Sequence, residues 1–382
     1  MSNLKYNFDD LADRSNTNSV KYSTPDVLPM WVADMDYKTP DFVLDVIKER
    51  VNKGCFGYTE QPNYFYESII DFYKRNHIIE IKRDDMIFTQ GVVPAISSAV
   101  RELTNDGDNV LILSPVYNMF YSSILDNNRN ALECKLTYND GIYDIDYDDL
   151  DNKLKESKLF IFCNPHNPIG KLWTKEEINK IAKLCIKHNV MVISDEIHSD
   201  IVTPGMKTYS FLNITDLDVI MLSSASKSFN LAGLQGSFMV CYNHELLHRL
   251  EHRLDVEGQT HGNALVYDAL SKAFSDGDNY LSELNKYIYN NKLYVENFIK
   301  EEIKDLTYIK GDATYLVWVD VSKVTDNVKR FTAKLKRKYK LWVSSGDTFG
   351  SNGAGFIRIN LATSHANVVE GMNRLKKAVE DK

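Results

Sequence analysis

Several segments follow an apolar run and carry a side chain suited to covalent or acid–base chemistry. Ser223-Ser-Ala-Ser-Lys227-Ser-Phe-Asn-Leu-Ala-Gly-Leu-Gln235 continues the run Val219–Ser223 and sets one lysine among small and polar residues. Burial and cationic neighbours lower a lysine pKa and free the amine to attack a carbonyl. The competing reading is a surface lysine in a Ser-rich turn. Asp195-Glu-Ile-His198 follows Val190–Ser194. A carboxylate there can keep a pyridinium nitrogen protonated, because an opposite charge within hydrogen-bond reach favours the charged ring. An Asp that caps the next turn is the alternative. Asn164-Pro-His-Asn167-Pro-Ile-Gly170 follows Lys158–Cys163. Its prolines fix the backbone and Gly170 permits a tight turn, so Asn167 is presented at little entropic cost. A plain structured turn explains the same residues.

Two further segments sit at equivalent places. Gln90-Gly91-Val-Val-Pro94-Ala-Ile follows Met86–Thr89. Gly91 allows close backbone approach and Pro94 suits a first helical turn. Free N–H groups at such a helix start make an anion site, although an ordinary strand-to-helix turn reads the same way. Ser114-Pro-Val-Tyr117 follows Asn109–Leu113 and brings an aromatic ring to the same rim, where packing alone is the simpler role.

The elements that hold these segments form a pattern. Apolar runs at Met86–Thr89, Asn109–Leu113, Leu132–Leu136, Lys158–Cys163, Val190–Ser194, Val219–Ser223 and Ser237–Cys241 read as strands. Amphipathic stretches lie between several of them: Pro94–Leu103, Met119–Leu125, and Lys175–Lys187 with apolar Ile178, Ile181, Leu184 and Cys185. Strands alternating with helices predict a parallel sheet wrapped on both faces. Ligands of such sheets bind beyond the C-terminal strand ends, where the segments above lie. The last third differs. It reads as a long helix Asn279–Glu302, a strand Ala313–Val319, a helix Val328–Tyr339, a strand Phe356–Leu361 and a closing helix His365–Val379, a smaller α+β domain.

Composition narrows the function classes. The chain has 382 residues, 43% hydrophobic and 26% charged, which suits about two globular domains. The net charge of −8 offers no basic face to nucleic acid or to an anionic membrane. Lys334–Lys340 reads as the solvated side of a helix. No apolar run approaches bilayer length, and the N-terminus lacks an apolar signal core. The five cysteines are scattered and without a Cys-x-x-Cys, so buried reduced thiols are expected rather than disulfides or a zinc site. No metal site is expected. Gly350–Gly355 precedes a strand instead of opening a helix, so it is a turn that positions Arg358 and not a nucleotide loop.

Taken together, the motifs resemble the fold-type I pyridoxal phosphate enzymes of the class I/II aminotransferase superfamily, over nearly the whole chain. Met30-Trp-Val-Ala-Asp-Met-Asp36, Gly57-Tyr58-Thr59, Val92-Val93-Pro94, Asp195-Glu-Ile-His198 and Phe229-Asn-Leu-Ala-Gly233 are most similar to the MalY/PatB branch of carbon–sulfur β-lyases, the cystathionine β-lyases. Typical aminotransferases carry Tyr where His198 stands. The resemblance implies an α/β fold: a large domain with a mostly parallel seven-stranded sheet between helices, and a smaller α+β domain. The implied division is 1–45 as an N-terminal segment packing with the small domain, 46–275 as the large domain and 276–382 as the small domain.

By the same resemblance, Lys227 carries pyridoxal 5'-phosphate as a Schiff base and later moves protons. Asp195 pairs with the pyridine nitrogen, Asn167 with the phenolic oxygen, and Tyr117 stacks on the ring. The backbone of Val92 and Val93, with Ser224 and Ser226, holds the phosphate. His198 lies beside the ring as a structural or a catalytic histidine. Tyr58 reaches the phosphate of a partner subunit, which implies a homodimer. Arg358 matches the arginine for the substrate carboxylate, a task suited to its bidentate fork. Trp31, Asp34 and Asp36 lie near the entrance, with Asp34 either selecting substrate or bracing the loop. Many superfamily members have Arg eight residues after the lysine. Gln235 stands there in this chain, so one positive charge on the phosphate is lost. The expected activity is β-elimination from cystathionine, cysteine or another S-substituted cysteine, in the cytoplasm. An aminotransferase for an aromatic or related amino acid is the first alternative. A regulatory protein that binds a transcription factor through the same fold is the second.

Overall fold

The structure is a computed structural model and describes residues 5–381. The outermost residues of the expected division, 1–4 and 382, lie outside the described residues. The large sheet contains β1 (Met86–Thr89), β2 (Asn109–Ser114), β3 (Asn130–Lys135), β4 (Leu159–Cys163), β5 (Met191–Asp195), β6 (Val219–Ser223) and β7 (Ser237–Val240). Their order across the sheet is β1-β7-β6-β5-β4-β2-β3. Only β7 runs antiparallel to its neighbours, β1 and β6; the other pairs are parallel.

Apart from the edge strand β3, these strands are apolar at nearly every position because both faces of the sheet are covered. In β4, Leu159, Ile161 and Cys163 join one apolar cluster while Phe160 and Phe162 join the other, as the two-residue period of a strand requires. The helices are α1 (Asp41–Asn52), α2 (Asn63–Asn76), α3 (Val92–Leu103), α4 (Met119–Leu125), α5 (Tyr147–Leu154) and α6 (Lys175–His188). They continue as α7 (His244–Val256), α8 (Val266–Asp276), α9 (Asp278–Glu302), α10 (Val328–Lys338) and α11 (His365–Glu380). Helices α3, α4 and α7 cover one face; α2, α6 and α8 bury apolar residues on the other. Helix α6 follows its expected pattern, with Ile178, Ile181 and Cys185 buried. A capping box between Thr174 and Glu177 starts it, and left-handed Asn189 ends it.

A second, antiparallel sheet contains β8 (Thr307–Ile309), β9 (Leu316–Asp320), β10 (Ser344–Ser345) and β11 (Phe356–Asn360), in the order β8-β9-β11-β10. Residues of α9, α10 and α11 cover it. The strand expected from Ala313 begins instead at Leu316. Thr314 has φ +60°, which turns residues 313–315 out of the sheet. The thiol expectation also needs one correction. Four cysteines are buried, but Cys55 is exposed in the open segment between α1 and α2, where nothing packs over it.

The N-terminal segment bridges the two sheets. Leu28–Pro29 pairs in parallel with Leu341–Trp342. The Asn360 side chain donates to the carbonyls of Val32 (2.5 Å) and Asp34 (2.7 Å). From the large-sheet side, the Asn230 side chain donates to the carbonyls of Met35 (3.0 Å) and Tyr37 (3.1 Å). Two side-chain amides thus satisfy backbone groups that lie in no regular strand.

Candidate active site

The C-terminal ends of β1, β2, β4, β5 and β6 open on one cavity of about 430 Å³. Such sheets bind ligands at this edge. Val92, Val93, Tyr117, Asn167, Asp195, His198, Ser224, Ser226 and Lys227 all line it. Gln90, Cys163, Gln235, Glu257 and Gln259 line it too. Of these, only Gln235 was singled out from the sequence; the others carry no motif of their own.

Lys227 is partly buried, and its Nζ donates to the Ala33 carbonyl at 2.7 Å. Desolvation, reinforced by the Arg358 charge, pushes its pKa down to about 8, while Asp34 and Asp195 pull the other way. Asp195 ends β5 and is 4% exposed. Burial pushes its carboxyl up to about 7, against the Ile197 N–H that donates to Oδ1 at 3.1 Å and the nearby Lys227. A cationic ring nitrogen opposite would favour the carboxylate again. His198 is buried, and desolvation together with the charges of Lys227 and Arg358 keeps its imidazole neutral. Its Nδ1 has no hydrogen-bond partner.

Arg358 projects from β11 between Trp318 and Ser344. Nη1 donates to Asn167 Oδ1 at 3.0 Å and Nη2 to the Trp31 carbonyl at 2.9 Å. Its Nε is buried without a partner, and desolvation lowers its pKa to about 10. The 350–355 turn that precedes β11 is fastened to the large sheet: Asn352 donates to the Ser114 carbonyl at 2.9 Å. Tyr117 is half-buried at the cavity wall, and burial raises its phenol pKa.

Gly91 caps α3 in an extended conformation, and Val92 and Val93 are the first two helical residues. Their N–H groups have no intrahelical acceptor by position. Pro94 contributes none. Ser224 Oγ donates to the Gly236 carbonyl at 2.6 Å and accepts from the Ser226 N–H at 3.0 Å, so this hydroxyl holds the turn that leads to Lys227.

Arg358 is not among the residues lining the cavity and joins the site through Asn167. Three further expected residues lie elsewhere. Tyr58 is fully exposed on an open depression that it shares with Phe56, Leu234 and His261. The Trp31 ring stacks on Trp342 at 4.2 Å, outside the cavity lining. Asp34 pairs with Arg14 and with the buried Lys21, each at 3.4 Å, and Lys21 also holds Asp36 at 2.8 Å. Asp34 therefore braces the loop that carries Ala33. Among the described residues, no three His, Cys, Asp or Glu side chains cluster as a metal site, and no helix is long and apolar enough to cross a membrane.

The donor set fits pyridoxal phosphate. It combines an amine of lowered pKa, a buried carboxyl, an amide at the cavity wall and two free N–H groups at a helix start. The orphaned His198 Nδ1 and Arg358 Nε are buried polar atoms that call for a ligand. The cavity has the size of a cofactor site.

The sequence model for aminotransferase class I and II matches residues 25–375. The chain belongs to this family. Within it, the chain is 36% identical to cystathionine beta-lyase PatB of Bacillus subtilis over 385 residues, covering 98% of this chain and 100% of PatB. Cystalysin from Treponema denticola, whose crystal structure contains a pyridoxal 5'-phosphate cofactor, superposes with a TM-score of 0.95 at 32% identity, covering 98% of this chain and 99% of cystalysin. The PLP-bound C-S lyase from Staphylococcus hominis superposes with a TM-score of 0.92 at 31% identity, covering 98% of both chains. As a family member, this chain has the α/β architecture of a large mixed sheet between helices.

Proposed function

We propose that this protein is a pyridoxal phosphate-dependent carbon–sulfur β-lyase. It would cleave cystathionine, cysteine or another S-substituted cysteine to a thiol, pyruvate and ammonia. The observation that carries the reading is the Lys227 amine and the Asp195 carboxyl facing one cavity, in a chain similar from end to end to PatB and cystalysin.

The cofactor, when bound, supplies an aldehyde for imine formation and an electron sink for charge developing at the substrate Cα. The protein does the rest. Lys227 would hold the cofactor and then, as a free amine, take the Cα proton. A pKa of about 8 keeps a useful fraction uncharged near neutral pH. Asp195 would keep the ring nitrogen protonated. Asn167, turned by Arg358, points its Nδ2 away from the guanidinium and would donate to the phenolic oxygen. Tyr117 would stack on the ring, and neutral His198 would sit beside it without competing for protons. The Val92 and Val93 N–H groups would face the phosphate, with Ser224 and Ser226 close by. Gln235 stands there without a charge. Arg358 would take the substrate carboxylate, using the Nε that has no partner in the protein. Lys227, now protonated, would return its proton to the departing sulfur. The enamine left behind hydrolyses to pyruvate and ammonia.

The same proposal includes a homodimer in which Tyr58 reaches the partner's site. Its full exposure beside Phe56 and Leu234 supports this, since Tyr58 has no role within its own chain. A reducing cytoplasm suits the unpaired thiols. The division at 1–45, 46–275 and 276–382 is likewise part of the proposal, with Trp31 and Asp34 shaping the mouth of the site through the loop they brace. The test is incubation with cystathionine and no keto acid. Pyruvate and homocysteine are expected. Turnover that requires a keto acid would make the protein an aminotransferase.

A further inference from the structure

The Ala33 carbonyl accepts two hydrogen bonds at once: Lys227 Nζ at 2.7 Å and the Tyr315 hydroxyl at 3.0 Å. Tyr315 is wholly buried, and its ring stands edge-on to His198. It neither lines the cavity nor carries any role derived so far.

Its placement is enforced at a cost. Thr314, just before it, has φ +60°. A β-branched residue in the left-handed region is a true outlier and persists only where its surroundings fix it. Thr314 N–H donates to the Ile201 carbonyl at 2.8 Å. Lys292, buried on α9, donates to the carbonyls of Gly311 (3.0 Å) and Ala313 (2.7 Å). A Cβ at Gly311 would lie 2.6 Å from the Ile169 carbonyl oxygen, so the turn packs backbone to backbone against the loop that bears Asn167. Strain that is held this firmly points to what it positions.

We propose that Tyr315 is a positioning residue for Lys227: by occupying one side of the Ala33 carbonyl, its hydroxyl weakens that carbonyl's grip on the lysine ammonium and keeps the amine available. This rests on the reading of Lys227 as the cofactor lysine. A carbonyl oxygen that already accepts from a phenol offers less negative potential to a second donor. An ammonium gains more from such an acceptor than a neutral amine does, so sharing favours the neutral form. The other groups facing Lys227 are Arg358, which disfavours its charge, Asp34 and Asp195, which favour it, and neutral His198.

Tyr315→Phe removes one oxygen and keeps the ring against His198. The full-length protein, stripped of cofactor, is mixed with pyridoxal phosphate across a pH series, and the imine absorbance is followed in time. In parallel, reductive methylation of Lys227 is read by mass spectrometry over the same series, without cofactor. The variant should show both midpoints moved up by about half a unit to one unit, which slows loading roughly three- to tenfold below the midpoint. A downward or absent shift in the methylation midpoint overturns the role of Tyr315, whether or not the variant loads cofactor. An imine that never forms in the unaltered protein refutes the cofactor reading instead, and the methylation series still decides for or against Tyr315.

Discussion

Arg358 Nη1 lies 3.0 Å from Asn167 Oδ1, so a strand of the small sheet and a loop of the large sheet meet in one hydrogen bond inside the site. Arginine donates only, so the amide of Asn167 has its oxygen towards Arg358 and its nitrogen elsewhere. The residue proposed for the substrate carboxylate thereby orients the residue proposed for the cofactor's phenolic oxygen.

Arg358→Ala should therefore change two quantities. Loss of a charged donor costs on the order of 1.5–3 kcal/mol, so KM should rise roughly ten- to a hundredfold. The imine absorbance should also change its pH dependence, because Asn167 is no longer held. Steady-state kinetics and a spectral titration measure these separately. An unaltered KM would remove Arg358 from carboxylate binding.

Lys227→Ala should abolish the imine band and lower turnover by roughly 10³-fold or more, since it removes both the covalent anchor and the base. Absorbance and pyruvate release report on each. A variant that keeps its yellow colour and its band would show that another amine holds the cofactor.

Asp195 makes a prediction about stability without cofactor. Its folded pKa of about 7 lies above the ordinary carboxylate range. The folded state then binds the extra proton between about pH 4 and pH 7, so stability falls as pH rises through that window. The contribution is on the order of 4 kcal/mol. Asp195→Asn should flatten this part of the profile in urea melts of the cofactor-free protein, while proton abstraction in the loaded variant falls sharply. Parallel pH profiles for the two proteins would contradict the burial argument.

Tyr58 can be tested by complementation. Tyr58→Ala and Lys227→Ala proteins should each be impaired. After mixing and subunit exchange, a mixed dimer regains one complete site, and activity should recover to about a quarter of normal by random pairing. No recovery, with exchange verified by mass, would argue that Tyr58 does not serve the partner.

The large sheet was legible because its inner strands are buried on both faces and so read as apolar runs; edge strand β3, with Glu133 and Lys135, is the exception. Polar residues at their C-terminal ends then stood out, and Lys227, Asp195 and Asn167 do line one cavity. Helices α1 and α2 were not legible. Each follows a proline and lacks a capping side chain, so the usual start signal is absent. Tyr315 was hidden inside an apolar run that reads as strand, because threonine is the wrong residue to advertise a left-handed turn. The Ala33 carbonyl left no trace at all, since a backbone acceptor belongs to every residue type. Trp31 and Asp34 were expected near the entrance, yet their side chains are engaged with Trp342 and with Arg14 and Lys21.

The segment that links the two sheets has a consequence for how the molecule is made. A ribosome delivers residues 28–37 early, whereas Asn230, Trp342 and Asn360, which fasten them, arrive later. Until then the Val32 and Tyr37 carbonyls have only water, although Lys21 and Arg14 can already reach those of Asp34 and Met35. A nascent chain that stops short of Asn360 holds every strand of the large sheet, yet the amine of Lys227 still lacks a fixed Ala33 beside it. Completion of the pocket is thus tied to completion of the polypeptide, and an unfinished chain has no finished site to load.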